Sequence, residues 1–108
     1  MRAHTPIDLL ATCIGFDWDE DNSLKNWERH RVTSEEAEEV FFSDPIIVAG
    51  DTAHSHKEKR YRLLGRTAAG RMQFVAFTIR HKLIRVISVR EMNRKESEAY
   101  LDYEKENP

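Results

Sequence analysis

Arg60, Arg80, Arg85 and Arg90 lie close to a histidine and a glutamate, His54 and Glu58, in the middle of a 108-residue chain. A guanidinium is a planar fork that never loses its proton and meets two phosphate oxygens at once. An imidazole gives and takes a proton near neutral pH, and a loop ahead of a cationic strand is a common place for such a group. Together these types suit work on a phosphate-bearing ligand. Arg60, Arg80 and Arg90 are expected to contact phosphate, with Arg85, Lys57 and Arg62 extending the binding surface and His54 and Glu58 as acid/base candidates. A plainer alternative stands beside each role. Strand-end arginines also serve as edge gatekeepers, His54 could cap a turn, and Glu58 could pair with Arg60 or Arg62. His54-x-His56, with His30 or Cys13, is too small a donor set to imply a metal. Neither metal nor cofactor is expected, and His30 is read as packing at a helix end.

The formal net charge of −2 conceals a strong segmentation. Residues 1–53 carry 4 basic and 12 acidic side chains, residues 54–95 carry 12 basic and 2 acidic, and residues 96–108 carry 1 basic and 5 acidic. One cationic block between two anionic ones is the footprint of a phosphate-rich partner. No apolar run approaches the ~18 residues of a membrane span, and the N-terminus lacks a convincing signal-peptide pattern. A single cysteine, Cys13, excludes an internal disulfide framework and fits a reducing cytosol. The chain is long enough for one core only, expected over residues 14–108 after an extension at 1–13.

The elements that must position these groups follow from local pattern. Ile14 to Trp18 suits a short strand. Asp19 to Asn22 opens a helix reaching His30, with Leu24 and Trp27 on its apolar stripe. Thr33 and Glu36 form a capping box ahead of Ala37, Val40 and Phe41, and Ser43-Asp44-Pro45 stops that helix. The period then changes from 3.6 to 2. Ile46 to Ala49, Tyr61 to Thr67, Met72 to Arg80 and Leu83 to Arg90 read as strands, with turns at Ala69-Gly70 and His81-Lys82. Asn93 and Glu96 form a second capping box before a last helix. The fold class is α+β: two N-terminal helices and a C-terminal helix on a twisted antiparallel sheet of about four strands. Strict alternation in the last strand puts Arg85 and Arg90 on opposite faces. Trp18, Trp27, Phe41 and Phe42 are read as core, Tyr61, Tyr100 or Tyr103 as base-stacking platforms if exposed, and Glu38-Glu39 as solvated helix surface.

Phe16-Asp17-Trp18-Asp19, Asn26, His30, Val32, Glu36-Ala37, Val40-Phe41 and Asp44-Pro45 carry a family resemblance. Asp51, His54-Ser55, Glu58, Arg60, Leu64-Gly65, Gly70-Arg71, Thr78, Arg80, Arg85 to Arg90, Glu96 and Tyr100 continue it. In order and spacing this set resembles the BrnT toxin family over residues 14–103. Two positions depart from the family pattern: Arg31 stands where a glycine is usual, and Val89 where alanine is usual. The resemblance implies a RelE-like fold and a cytoplasmic ribonuclease toxin of a type II toxin–antitoxin pair. It further implies neutralisation by a ribbon-helix-helix antitoxin, BrnA, with DNA reached only through that complex. Metal-independent cleavage of RNA then proceeds by attack of a 2′-hydroxyl on the adjacent phosphate. Such a reaction needs one group to take a proton, one to give a proton, and cations to stabilise the phosphorane. The same arginines would equally serve a nucleic-acid-binding or co-repressor module that breaks no bond, or a domain that receives an acidic protein segment.

Overall fold

The computed structural model describes residues 8, 10–54 and 57–107. The side chain of His54 and the whole of His56, both weighed above for chemistry, lie outside the described residues. Strand β1 (Gly15–Phe16) leads into helix α1 (Glu20–His30) and helix α2 (Ser34–Phe41). Strands β2 (Ile47–Gly50), β3 (Arg60–Arg66), β4 (Met72–Arg80) and β5 (Leu83–Glu91) follow, and helix α3 (Arg94–Glu106) ends the chain. A short 3-10 turn, Thr52–His54, separates β2 from β3. The sheet order is β1-β5-β4-β3-β2, and β1 runs parallel to β5 while every other pair is antiparallel. The sheet is therefore five-stranded and mixed, one short parallel edge more than the antiparallel four read from the sequence.

Both capping boxes form as their residues dictate. The Thr33 hydroxyl accepts from the Glu36 N–H and the Glu36 carboxylate accepts from the Thr33 N–H; Asn93 and Glu96 repeat the exchange at α3. Helix α1 ends less comfortably. Arg31, its C-cap, sits at φ 54° in the left-handed region, where a residue with a Cβ is strained by ~1 kcal/mol or more. Its guanidinium lies 5.2 Å from the Trp27 ring centroid, a contact worth only ~0.5 kcal/mol when exposed. Strain outweighs stacking. Arg31→Gly is therefore expected to raise the thermal midpoint by about 2–4 °C, and Arg31→Ala, which keeps the strain and loses the ring contact, to lower it. Melting curves of the two variants check the ordering.

Helices α1 and α2 cover one face of the sheet. Val32, Ala37, Val40 and Phe41 meet Tyr61, Leu63, Val75, Phe77, Ile84, Val86 and Val89 in one buried cluster. Phe77 lies at its centre, 5.1 Å from Phe41 and 5.4 Å from Tyr61 between ring centroids. Gly65 admits α2 onto β3: a Cβ there would lie 2.6 Å from Ser43 Oγ and 3.0 Å from the Val40 carbonyl. The Leu24–Trp27 stripe expected to anchor α1 instead faces out, at 55% and 44% exposure, and Asn26 is the residue it buries. Phe42 is likewise outside the core at 79% exposure, while Phe41 is inside and Trp18 packs half-buried against it. Glu38 and Glu39 are not idle surface: Glu38 accepts from Trp18 Nε1 at 2.7 Å and Glu39 from the Ala68 N–H at 3.0 Å.

The last strand departs most from strict alternation. Ala76 pairs with Ser88 and Phe77 with Val86, so Ile87 is an extra residue opposite no partner. This β-bulge resets the phase of the strand. Ile84, Val86 and Val89 face the core, whereas Arg85, Ser88 and Arg90 share the outward face. The Asn26 Oδ1 accepts from the Val89 N–H just past the bulge, at 3.3 Å. Two arginines five residues apart thus project from one side, contrary to the alternation expected from the sequence.

Candidate nucleic-acid interface

The register places the cationic side chains in rows across the outward face. Arg60 pairs with Thr78 and Thr78 with Arg85; Arg62 lies in line with Ala49, Ala76 and Ser88; Leu64 lies in line with Ile47, Phe74 and Arg90. Arg80 ends β4 on the same side. Neighbouring strands lie ~4.8 Å apart, so Arg60, Arg62, Arg80, Arg85 and Arg90 share one side of a three-strand platform. Thr78, at the middle of the first row, is buried, and its hydroxyl donates to the Lys59 carbonyl at 2.8 Å, which ties the approach loop to the platform.

The first row and Arg80 gather around Glu58. Arg80 Nε and Nη2 donate to the two Glu58 oxygens at 2.8 and 2.6 Å. The Arg80 hydrogen bonds, and then the charges of Arg80, Arg85 and Arg60, hold the Glu58 carboxyl below the usual glutamate range. Glu58 therefore pairs with Arg80 across the hairpin, a partner other than the Arg60 or Arg62 expected from the sequence, while the charge of Arg60 also acts on it. Arg85 stands 3.6 and 3.7 Å from Asp17 and Asp19, longer than hydrogen bonds. Lys57 is exposed ahead of this cluster, and the 3-10 turn brings the His54 backbone to the same approach loop.

Arg90 is set apart from that cluster by roughly 15 Å along β5. Its guanidinium is held in a fork by both Glu96 oxygens at 2.8 and 3.0 Å and lies 4.0 Å from the Phe74 ring centroid. Arg62, exposed between the two groups, makes no ion pair with a described residue. Tyr61 and Tyr100 are buried and cannot stack a base; Tyr103 on α3 is partly open. Tyr100 donates to the Pro45 carbonyl at 2.6 Å.

Two arginines of the cationic block serve the fold instead. Arg66 forks onto Glu104 at 2.8 and 2.7 Å and so pins α3. Arg71 bridges Glu36 and Glu91 and donates to the carbonyls of His30 and Arg31, joining the end of α1, the start of α2 and the end of β5. His30 ends α1 half-buried, and its backbone carbonyl is one of those that Arg71 holds.

These pairs set an acid limit. Glu36 is lowered by the Thr33 N–H and then Arg71, Glu96 by Arg90, and Glu104 by Arg66, each from an ordinary 4.5. A carboxylate depressed in the folded state stabilises fully above its unfolded value, and that contribution is lost as pH falls through the folded one. The thermal midpoint is expected to hold from pH 7 to about 5.5 and to fall progressively below about 4.5. A midpoint that rose on acidification, in melts at stepped pH, would refute these pairs.

Among the described residues, no group of three or more His, Cys, Asp or Glu side chains is placed to hold a metal ion, and no helix is long and apolar enough to cross a membrane. The crystal structure of the ribonuclease toxin BrnT of Brucella abortus has the same fold: it superposes with a TM-score of 0.59 at 22% identity, over 75% of this chain and 99% of that one. No curated protein sequence is significantly similar. The profile of the family described as "Ribonuclease toxin, BrnT, of type II toxin-antitoxin system" matches residues 18–96, a span that takes in the four strands β2 to β5, both capping boxes and every arginine of the platform. By that match this chain belongs to the BrnT family of ribonuclease toxins of type II toxin–antitoxin systems.

Proposed function

We propose that the chain is a metal-independent endoribonuclease that cuts RNA on the outward face of its sheet. The observation that carries this reading is the convergence of Arg60, Arg80 and Arg85 around Glu58, on the same face as Arg62 and Arg90. Arg60 and Arg80 hold the scissile phosphate and stabilise its developing charge. Arg85, Arg62 and Lys57 bind the flanking chain, and Arg90 does so further along the platform. His54 and Glu58 move the protons between the 2′-hydroxyl and the leaving oxygen. The Arg80–Glu58 pair does not stand in the way. Both side chains are open to solvent, at 47% and 36%, and an exposed ion pair exchanges readily for a phosphate. Exchange also frees the carboxylate, whose proton affinity rises towards that of a working base once Arg80 turns to the phosphate.

In the cell, the chain acts in the cytoplasm and a ribbon-helix-helix antitoxin of the BrnA kind neutralises it. The family assignment and the lone cysteine support this. The lowered carboxyl of Glu58 favours one second reading, a module that holds nucleic acid without cutting it, since a base held by Arg80 is weak at neutral pH. Purified chain incubated with single-stranded RNA, with and without EDTA, separates the two. Cleavage undiminished by EDTA is expected, ending in 2′,3′-cyclic phosphates. Intact RNA in every lane, with binding that weakens steeply as salt rises, would leave the binding module.

A further inference from the structure

Beside the phosphate-holding rows, the outward face has a concavity of different character. Ile47 and Ala49 of β2, Arg62 and Leu64 of β3, Phe74 of β4 and Glu96 of α3 line a cleft of 190 Å³. Every strand residue in it belongs to the outward set, in the two rows Ala49–Arg62 and Ile47–Leu64–Phe74. It lies on the side of Arg62 away from Arg60, one pleat repeat or ~7 Å along β3.

We propose that this cleft is a nucleobase subsite, which takes one unpaired base of the RNA while the platform holds the adjoining phosphates. The inference rests on the ribonuclease reading above and adds to it where a base, and not only a phosphate, is held. Three features select that occupant. The walls are apolar and include an aromatic ring, which suits a flat heterocycle, and stacking on such a ring tolerates any base. Phe74 is fixed for the purpose: Arg90 lies over it at 4.0 Å, and Glu96 holds Arg90 in place. The rim carries one donor, Arg62, and one acceptor, Glu96, as the mixed edge of a base requires. Glu96 has capacity left. Among the described residues, its Oε1 accepts from Arg90 and the Asn93 N–H, whereas Oε2 accepts from Arg90 alone.

Charge complementarity argues against an apolar peptide here, because any occupant lies beside Arg62 with Arg60 and Arg85 one row on, and a nucleotide brings phosphates that match the positive sign of that surface. Ala49, paired with Arg62, presents the smallest side chain of the lining.

The test is a scan. A single-stranded RNA with one cleavage site is prepared as a set in which one abasic residue replaces each nucleotide in turn around that site. Removing the base at one flanking position is expected to lower kcat/KM about tenfold, the size of a lost stacking contact, with the other positions within about twofold. Ala49→Leu, which fills the cleft and leaves every arginine, should flatten the scan at that position. If the variant fails to fold, the wild-type scan still decides. Should the RNA be bound but not cut, the same scan is read in Kd. A flat scan with RNA that is cut normally overturns the subsite and leaves the ribonuclease reading intact; absence of both cleavage and salt-sensitive binding overturns both.

Discussion

Arg80→Ala is expected to slow RNA cleavage by about 10²–10³-fold, the loss seen when one pre-aimed donor to a developing oxyanion is removed. Arg80 is placed for that effect and for little else. It ends β4, half-exposed, and among the described residues its hydrogen bonds go to Glu58. Loss of an exposed ion pair scarcely changes stability, so the variant should melt with the wild type and keep its circular dichroism spectrum. Arg80→Lys, which keeps the charge but not the planar fork, should recover only part of the rate. Initial rates on a short RNA, measured alongside melting curves, check both. A variant that folds and cuts at the wild-type rate would remove Arg80 from the reaction and shift the weight to Arg60 and Arg85.

Phe77→Ala is expected to destabilise the fold by about 3–5 kcal/mol, through lost burial and the cavity left among Phe41, Tyr61 and the valines. A domain of this size has only ~5–15 kcal/mol in all, so much of the chain should be unfolded near body temperature. Phe42→Ala is the control. The two phenylalanines are chemically alike, but Phe77 is fully buried and Phe42 is 79% exposed. Urea denaturation of both should show a large fall in midpoint for the first and almost none for the second. Equal falls would mean that Phe77 is not the centre of the core.

What the sequence made legible was local. Thr33 with Glu36, and Asn93 with Glu96, announce their helix starts because a capping box closes within four residues. The strands β4 and β5 begin where alternation begins, at Met72 and Leu83. The errors have a common cause in longer range. Nothing in Leu83 to Glu91 announces that Ile87 lies outside the alternation, because the bulge is fixed by pairing with β4 and by Asn26 from a helix far away in sequence. Trp27 and Phe42 look like core by type, but the helix face that the sheet selects is the one bearing Asn26 and Phe41. The platform arginines could be chosen from strand position, yet Arg66 and Arg71 carry the same charge in the same block. Only their carboxylate partners, 38 and 20 residues away, reveal that they brace the fold. The BrnT resemblance supplied the ribonuclease expectation that charge segmentation alone left open.

The order of the strands bears on how such a chain survives its own synthesis. Strand β4 lies inside the sheet, and the outer positions go to β1 with two residues and β2 with four. Beyond β1 the outer side of β5 is met by helix α1, where the Asn22 side chain donates to the Val86 carbonyl and Asn26 accepts from the Val89 N–H. A border made of such short strands, and elsewhere met by helix side chains, offers a neighbouring copy little ladder to extend. Copies released together at high concentration therefore have little purchase for fibre-like stacking, and their loss from solution should follow unfolding of the core, not recruitment at the rim.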